Sequence, residues 1–289
     1  LKRTNVKALE PKARALLVLA SILMSIHLYA ACWNEERIIP FFLRHYEPLV
    51  ERIVIYDDGS TDRSVELLRA SPKVEIRPFK RAAESYLDAH LALFETCWHE
   101  SRGRADWVCL VDLDEFLFQP DWHHYLAAQK EAGVTTIKTV GYDMVSEDFP
   151  PAGADLATIL TRGQREHHLD KTALFAPDAI EQINHSVGRH LCSPVGRLVP
   201  LAKHGIQLRH FKTLGLDYLL ARTHALAGRL TGDDLARGWS AHYLRDDDSI
   251  RAEFEKQLSQ AEPVPSPPVA KPKKKPKKKP WWRRLTSNL

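Results

Sequence analysis

Cysteine is scarce in these 289 residues: there are four, at 32, 97, 109 and 192, with no CxxC or other metal-ligand spacing. That excludes a disulfide scaffold. Three of the four lie in the apolar settings YAAC, FETCW and WVCLV, which read as buried free thiols in a reducing compartment. Thirteen glycines are too few for a collagen-like chain, and seven tryptophans with 44% hydrophobic residues exclude wholesale disorder. No internal repeat is found. A membrane-spanning run is missing too. Residues 15–34 carry no charge, but Ile26–Cys32 reads as a buried strand, which leaves only Ala15–Met24, well short of the roughly 20 residues a span needs. Tyr29, three residues before Cys32, also fits a secretory cleavage site poorly.

The formal charge of +4 hides an uneven distribution. Residues 271–289 hold nine Lys/Arg and no acid, and residues 1–23 are net +4, leaving −9 for residues 24–270. An acidic body is a poor nucleic-acid-binding face, so no nucleic-acid partner is expected. Seven prolines between Pro263 and Pro280 make residues 261–289 read as a disordered, Pro/Lys-rich basic tail. KPKKKPKKKP followed by Trp281, Trp282, Arg283 and Arg284 suits an anionic membrane surface. The expected location is therefore cytoplasmic, peripheral on the inner face of the cytoplasmic membrane. Residues 1–24 read as an N-terminal extension of doubtful role, and 25–260 as one domain.

Within that domain the hydrophobic period switches repeatedly between strand and helix. Strands are predicted at Ile26–Cys32, Arg52–Tyr56, Val74–Arg77 and Trp107–Val111, with helices at Glu35–His45, Arg63–Arg69 and Ala82–Ser101 between them. Such alternation implies right-handed crossovers and a mostly parallel sheet flanked by helices, whose ligands bind at the carboxyl ends of the strands. Three polar clusters follow such ends: Asn34-Glu35-Glu36, the run Asp57–Asp62 and Asp112-Leu113-Asp114. Later, Trp122–Ala132 reads as helix, and Thr135–Val140, Lys171–Phe175 and Gln207–Phe211 as strands. Helices follow at Leu216–Leu230 and Ile250–Leu258, and residues 141–170 have no clear pattern.

Asp112 and Asp114 are carboxylates two apart at a strand-to-turn junction, where both can approach one site. Hard cations such as Mn²⁺ or Mg²⁺ take carboxylate oxygens and share substrate phosphates. Capping or a solvated turn is the competing explanation. Capping of the next helix accounts for Ser60, Thr61 and Asp62 but does not require Asp57 and Asp58 together.

ACWNEE, IVIYDDGSTD and DWVCLVDLDEFL, in this order and spacing, resemble glycosyltransferases of family 2 and their relatives over roughly residues 25–260. RHFKTLGLDYLLARTHALAGRLT with GWSAHYL is similar to one bacterial branch. The resemblance implies a Rossmann-like A-type glycosyltransferase fold and a metal-dependent, inverting transfer from a nucleoside-diphosphate sugar, UDP-linked by preference. The acceptor implied is a glycan or lipid-linked glycan, in cell-envelope polysaccharide synthesis. Asn34, Glu35, Asp57, Asp58, Asp112 and Lys212 would contact the nucleotide-sugar, Asp58 through the base and Lys212 through the diphosphate. Asp112, Asp114 and His210 would hold Mn²⁺ or Mg²⁺. The family's later acidic pair is not recognisable here, so the catalytic base falls among Asp143, Glu147, Asp148, Glu166 and Asp170. Asp143, which follows a predicted strand, and Asp170, beside Lys171, are preferred. Lys171 and His190 are weaker site candidates, and His167-His168 reads as a polar loop. A phosphohydrolase would carry its D-x-D on the first strand, not the fourth. A catalytically inactive binding protein of the same fold at the membrane surface is the alternative.

Overall fold

A computed structural model describes residues 24–81, 85–201 and 205–268. The expectations for residues 1–23 and for the basic part of the tail lie outside these. The leading sheet has the order β3-β2-β1-β4-β9-β6. Its first half is parallel: β1 (Ile26–Cys32) lies between β2 (Arg52–Asp57) and β4 (Trp107–Leu110), and β3 (Val74–Pro78) lies outside β2. The apolar runs of β1, β2 and β4 are buried because helices cover both faces, whereas the edge strand β3 is only partly buried. On one side lie α1 (Ile39–Tyr46) and α2 (Ser64–Arg69), and β1 and β4 also pack against α3 (Tyr86–Thr96). Ser85 caps α3 by accepting the Asp88 N–H at 3.0 Å.

Beyond β4 the mostly parallel sheet takes on antiparallel strands. β5 (Glu115–Phe118) and α4 (Trp122–Glu131) lead to β6 (Thr136–Lys138). β9 (Thr172–Phe175) then runs antiparallel to both β4 and β6. The predicted strand 135–140 is divided, its end opening β7 (Val140–Ser146). β7 belongs to a second sheet, β13-β8-β7-β12-β5. The unpatterned stretch 141–170 thus contains most of β7, the short helix α5 (Leu156–Ile159) and β8 (Arg162–Arg165). β7 runs parallel to β12 (Gln207–Leu214), whereas β5 is antiparallel to β12. A two-stranded ribbon, β10 (Ile180–Gln182) with β11 (Val195–Gly196), precedes β12. Then come α6 (Leu216–Ala227), α7 (Gly232–Ala236), α8 (Asp247–Gln260) and β13 (Glu262–Pro263).

β13 lies just past residue 260, where the domain was expected to end. It pairs with β8, the Val264 N–H donates to the Thr161 carbonyl at 2.8 Å, and Gln207 Nε2 donates to the Pro265 carbonyl. Proline at a sheet edge needs no donor of its own, so composition alone concealed this strap.

The two sheets are joined through aromatic packing that holds the acidic turn in place. Phe116 of β5 meets Phe42 and Tyr46 of α1 and Phe211 of β12, at ring centroids of 6.4, 5.9 and 4.8 Å. The Tyr46 hydroxyl donates to the Glu115 carbonyl and accepts the Leu117 N–H, both at 2.8 Å. Cys32, Cys97 and Cys109 are buried, and all four cysteines are free thiols.

Candidate active site

Three polar loops leave the carboxyl ends of β1, β2 and β4, as the alternation predicts. The first two are bound to each other. Asn34 adopts a left-handed backbone, φ 52°, which Asn tolerates better than most residues. Its N–H donates to Ser60 Oγ at 3.0 Å, and its side-chain oxygen accepts the Thr61 and Asp62 N–H groups at 2.7 and 3.3 Å. Asp57 folds back on its own turn, accepting the Gly59 and Ser60 N–H groups at 3.2 Å. Both residues therefore shape the loop. Asp57, which capping did not seem to require, is the one that closes the turn. Asp58 instead faces cations: Arg81 at 2.9 Å and Arg229. The Arg229 guanidinium lies 4.0 Å over the Trp33 ring and 4.8 Å over that of Tyr86.

Asp112 and Asp114 have separate surroundings. Asp112 binds Arg189 and has His90 at 3.9 Å. Burial would raise its pKa, but Arg189, Lys171 and His90 bring it down to about 2. Burial takes His90 itself down to about 4, so it is a neutral imidazole near pH 7. Arg189 is buried in a left-handed conformation, φ 55°, with its guanidinium 4.1 Å over Phe94. The Asp112 N–H donates to Glu115, whose carboxylate forms a buried ion pair with Lys171.

Asp114 is buried, and the Phe211 N–H of β12 donates to its carbonyl at 2.7 Å. Its carboxylate accepts Arg222 at 2.6 Å and His210 Nε2 at 3.2 Å. His210 Nδ1 reaches Asp143 Oδ1 at 2.7 Å, and Lys212 reaches the other Asp143 oxygen at 3.1 Å. Burial opposes charge on all three groups, but the network overrides it. Asp114 and Asp143 are held far below the usual carboxylate range, and His210 is pushed up to about 9. Arg222 also donates to Glu35 at 2.6 Å. The Glu35 pKa is raised by burial, with Asp114 and Asp112 adding to the rise against Arg222.

The structure thus gathers Glu35, Asp112, Asp114, Asp143, His210 and Lys212 at one edge, with Asp58 on the adjoining loop. Asp170 is held elsewhere: it accepts the Gly141 N–H at 2.9 Å and pairs with Arg165 at 2.6 Å. Lys171 is engaged by Glu115, and His190 by the His168 carbonyl at 3.1 Å. Four arginines that were not named as site candidates, Arg81, Arg189, Arg222 and Arg229, the last two within the quoted stretch 209–231, supply the opposite charge. Arg222 lies in an ordinary amphipathic helical pattern, and Arg189 follows an unremarkable Gly188. Only the tertiary fold brings them to the carboxylates.

Among the described residues no three His, Cys, Asp or Glu side chains form a ready-made metal cage. Asp114 Oδ2 and His210 Nε2 nevertheless converge. The other His210 nitrogen rests on a carboxylate, the arrangement that orients a ligating imidazole. A hard cation that draws its remaining ligands from phosphate and water needs no more protein groups than these.

Residues 33–177 match the family described as glycosyltransferase family 92, where the motifs had suggested family 2. No curated protein matches the chain. Among solved structures, a crystal structure of residues 1–349 of TarS from S. aureus is 15% identical with a TM-score of 0.38, over 81% of this chain and 71% of that one. Glucosyl-3-phosphoglycerate synthase from Mycobacterium tuberculosis, with Mn²⁺, UDP and glucosyl-3-phosphoglycerate, is 21% identical with a TM-score of 0.30, over 43% of this chain and 47% of that one. The same synthase with Mg²⁺ and UDP is 22% identical with a TM-score of 0.32, over 44% and 47%. This chain spans under half of the synthase's length.

Proposed function

The chain belongs to glycosyltransferase family 92, and we propose that it moves a sugar from a nucleoside-diphosphate donor, UDP-linked by preference, to an acceptor hydroxyl with inversion. The observation that carries this reading is the chain Asp114–His210–Asp143 at the carboxyl edge of the sheets. Asp114 and His210 would hold Mn²⁺ or Mg²⁺, which when bound offsets the charge developing on the departing diphosphate. Asp143 keeps His210 Nε2 aimed at Asp114. With both oxygens engaged and its pKa depressed, it is assigned here to orienting His210, although its place after a strand had made it a preferred candidate for the base. Asp112, braced by Arg189, is left to orient the donor. Asp58, between Arg81 and Arg229, faces the base side, and Lys212 is near enough to share the diphosphate charge.

Glu35 is the better candidate for the acceptor's proton. It is the one carboxylate of the cluster whose surroundings raise its pKa, which moves a carboxylate toward the range where it works as a base. In the proposed step the acceptor hydroxyl gives its proton to Glu35 while its oxygen bonds to the anomeric carbon. The anomeric bond to the diphosphate breaks, and the electron pair leaves with the nucleotide.

Calorimetric titration of UDP and GDP into the full chain, with and without Mn²⁺, tests the reading together with Asp114→Ala. Binding of one nucleotide that requires both Mn²⁺ and Asp114 is expected. Equal binding with Asp114→Ala, or none by the wild type, would remove it. A cell-envelope glycan or lipid-linked glycan acceptor fits the basic composition of residues 271–289.

A further inference from the structure

Four of the seven large hydrophobic side chains exposed among the described residues fall within nine positions: Leu191, Val195, Leu198 and Val199, at 69, 46, 44 and 39%. Single exposed aliphatics are ordinary on a protein surface, whereas a run of them marks a contact. The fold explains why they point outward. Residues 180–197 form a hairpin: the Arg197 N–H donates to the Ala179 carbonyl at 2.8 Å, that of Ser193 to Asn184 at 3.0 Å, and that of Ser186 to Leu191 at 2.9 Å. Alternation along the returning strand sends Cys192 against the core and Leu191 and Val195 away from it. Past Gly196 the chain lies along the start of β6. There the Val199 carbonyl accepts the Thr135 N–H at 2.9 Å, and the Leu201 N–H donates to the Thr136 carbonyl at 3.1 Å. The result is an aliphatic ridge, 191–199, left uncovered by the described residues.

Charge and position limit what can cover it. From Gln182 to Leu216 the sequence has no acid and five Lys/Arg, within a body that is otherwise acidic. Arg189 and Lys212 face carboxylates of the site and Arg209 is buried, but Arg197 stands exposed inside the ridge. The facing strand brings one acid, Glu181, and the Arg102 guanidinium donates to its carbonyl at 2.8 Å. An anionic surface thus approaches the ridge without the repulsion that the rest of the body presents. The ridge also ends where the basic tail begins. Gln119 Nε2 donates to the Gly205 carbonyl at 2.5 Å and to that of Pro268 at 3.4 Å, so the last described residue lies one side chain away from Gly205. Gly205 follows Leu201 by four residues, at most about 14 Å of chain. The segment with nine Lys/Arg and the pair Trp281-Trp282 therefore starts beside the ridge. Hot spots between proteins are built from Trp, Tyr and Arg, with Leu and Val under-represented. Aliphatic side chains flanked by cations instead suit an anionic bilayer.

We infer that the ridge 191–199 is a lipid-contact surface, its Leu and Val side chains seated at the boundary between headgroups and acyl chains of an anionic membrane while the tail holds the domain there. Even a myristoyl chain gives only marginal membrane binding, so four part-exposed side chains do not hold the domain by themselves. Tethered by the tail, they meet lipid at high effective concentration and add to its affinity. The hairpin that carries the ridge also carries Arg189, the partner of Asp112, at its turn. Lipid at Leu191 is thereby two residues and one arginine side chain from Asp112.

The test mixes the full chain at low salt with vesicles containing phosphatidylserine, as wild type and as the triple variant Leu191→Ser/Val195→Thr/Leu198→Ser. These side chains are exposed, so the melting temperature should not change, and the tail is left intact. A separate form carries an environment-sensitive dye on Ser193→Cys together with Cys192→Ser, because the other three thiols are buried. The triple variant should partition onto the vesicles about tenfold more weakly than the wild type, and the dye emission should shift to the blue when vesicles are added. Wild-type partitioning by the variant, a dye that keeps its aqueous emission on vesicles, or no vesicle binding by the wild type would each overturn the inference. So would a wild-type dimer in sedimentation equilibrium that the triple variant abolishes while vesicle binding is unchanged, which would assign the ridge to a second copy of the chain. Calorimetry with UDP and Mn²⁺ reads the transferase proposal separately and should give the same result for wild type and triple variant.

Discussion

Arg222 and Asp114 lie 108 residues apart in the chain, yet guanidinium and carboxylate meet at 2.6 Å. The same guanidinium neutralises Glu35. One cation on α6 therefore compensates two acids from different loops of the parallel sheet. A divalent cation on Asp114 would replace part of that compensation, which links stability to metal loading.

Arg222→Ala should cost about 3 kcal/mol in metal-free protein, because it leaves Glu35 and Asp114 without their shared cation. Saturating Mn²⁺ should recover much of that loss through Asp114. Melting curves with and without Mn²⁺ measure it. An identical drop in both conditions would mean that no cation takes the place of Arg222.

A second compensation lies beneath the acidic turn. Lys171 and Glu115 are paired with almost no exposure, 6% and 1% for their side chains. Lys171→Met should cost about 3–5 kcal/mol by stranding the buried carboxylate. Adding Glu115→Gln should return most of it, since the amide oxygen can still accept the Asp112 N–H. Urea unfolding decides the matter, and a double variant no better than the single would contradict it.

The carboxyl-edge placement of 33–36, 57–62 and 112–114 was readable because a buried strand in the parallel half needs a continuous apolar run, and its end is where polarity resumes. β7 and β8 were not readable. Their burial is uneven along each strand, and β7 takes its order from β12, a neighbour over 60 residues away. The carboxylates were legible as motifs, but their partners were not. Asp and Gly are restricted by local turn geometry that a sequence displays, whereas Arg189, Arg222 and Arg229 act through long side chains that cross elements. Asp170 shows the converse: an acid beside a lysine looked catalytic, and its bonds go to Arg165 and Gly141.

Stability of the metal-free protein should decline on the alkaline side. The folded pKa of His210, about 9, lies above its ordinary 6.5. Its contribution is therefore complete below about 6.5 and is lost as pH rises through about 9. Asp114 and Asp143 are depressed, so theirs is present above the ordinary carboxylate range near 4 and is lost only in acid. Melting temperature should fall by several degrees between pH 7 and 9.5. His210→Gln should flatten that fall, and an unchanged slope would show that another group titrates there.

Attachment of the tail to a membrane surface can be separated from the fold, because residues 262–268 are docked by β13 and by Gln207. Ending the chain at residue 268 should therefore preserve both the melting temperature and nucleotide binding. Each Lys or Arg near an anionic surface contributes about 1 kcal/mol, so nine of them in residues 271–289 predict firm binding to phosphatidylserine vesicles. Added salt should release the protein as the Debye length shrinks. Cosedimentation with neutral and with phosphatidylserine-containing vesicles reads this directly. The full chain should pellet only with the charged vesicles and at low salt, and the shortened chain with neither. Equal sedimentation of the two forms would place any membrane contact on the domain. The tail would then carry no evidence for a lipid-linked acceptor.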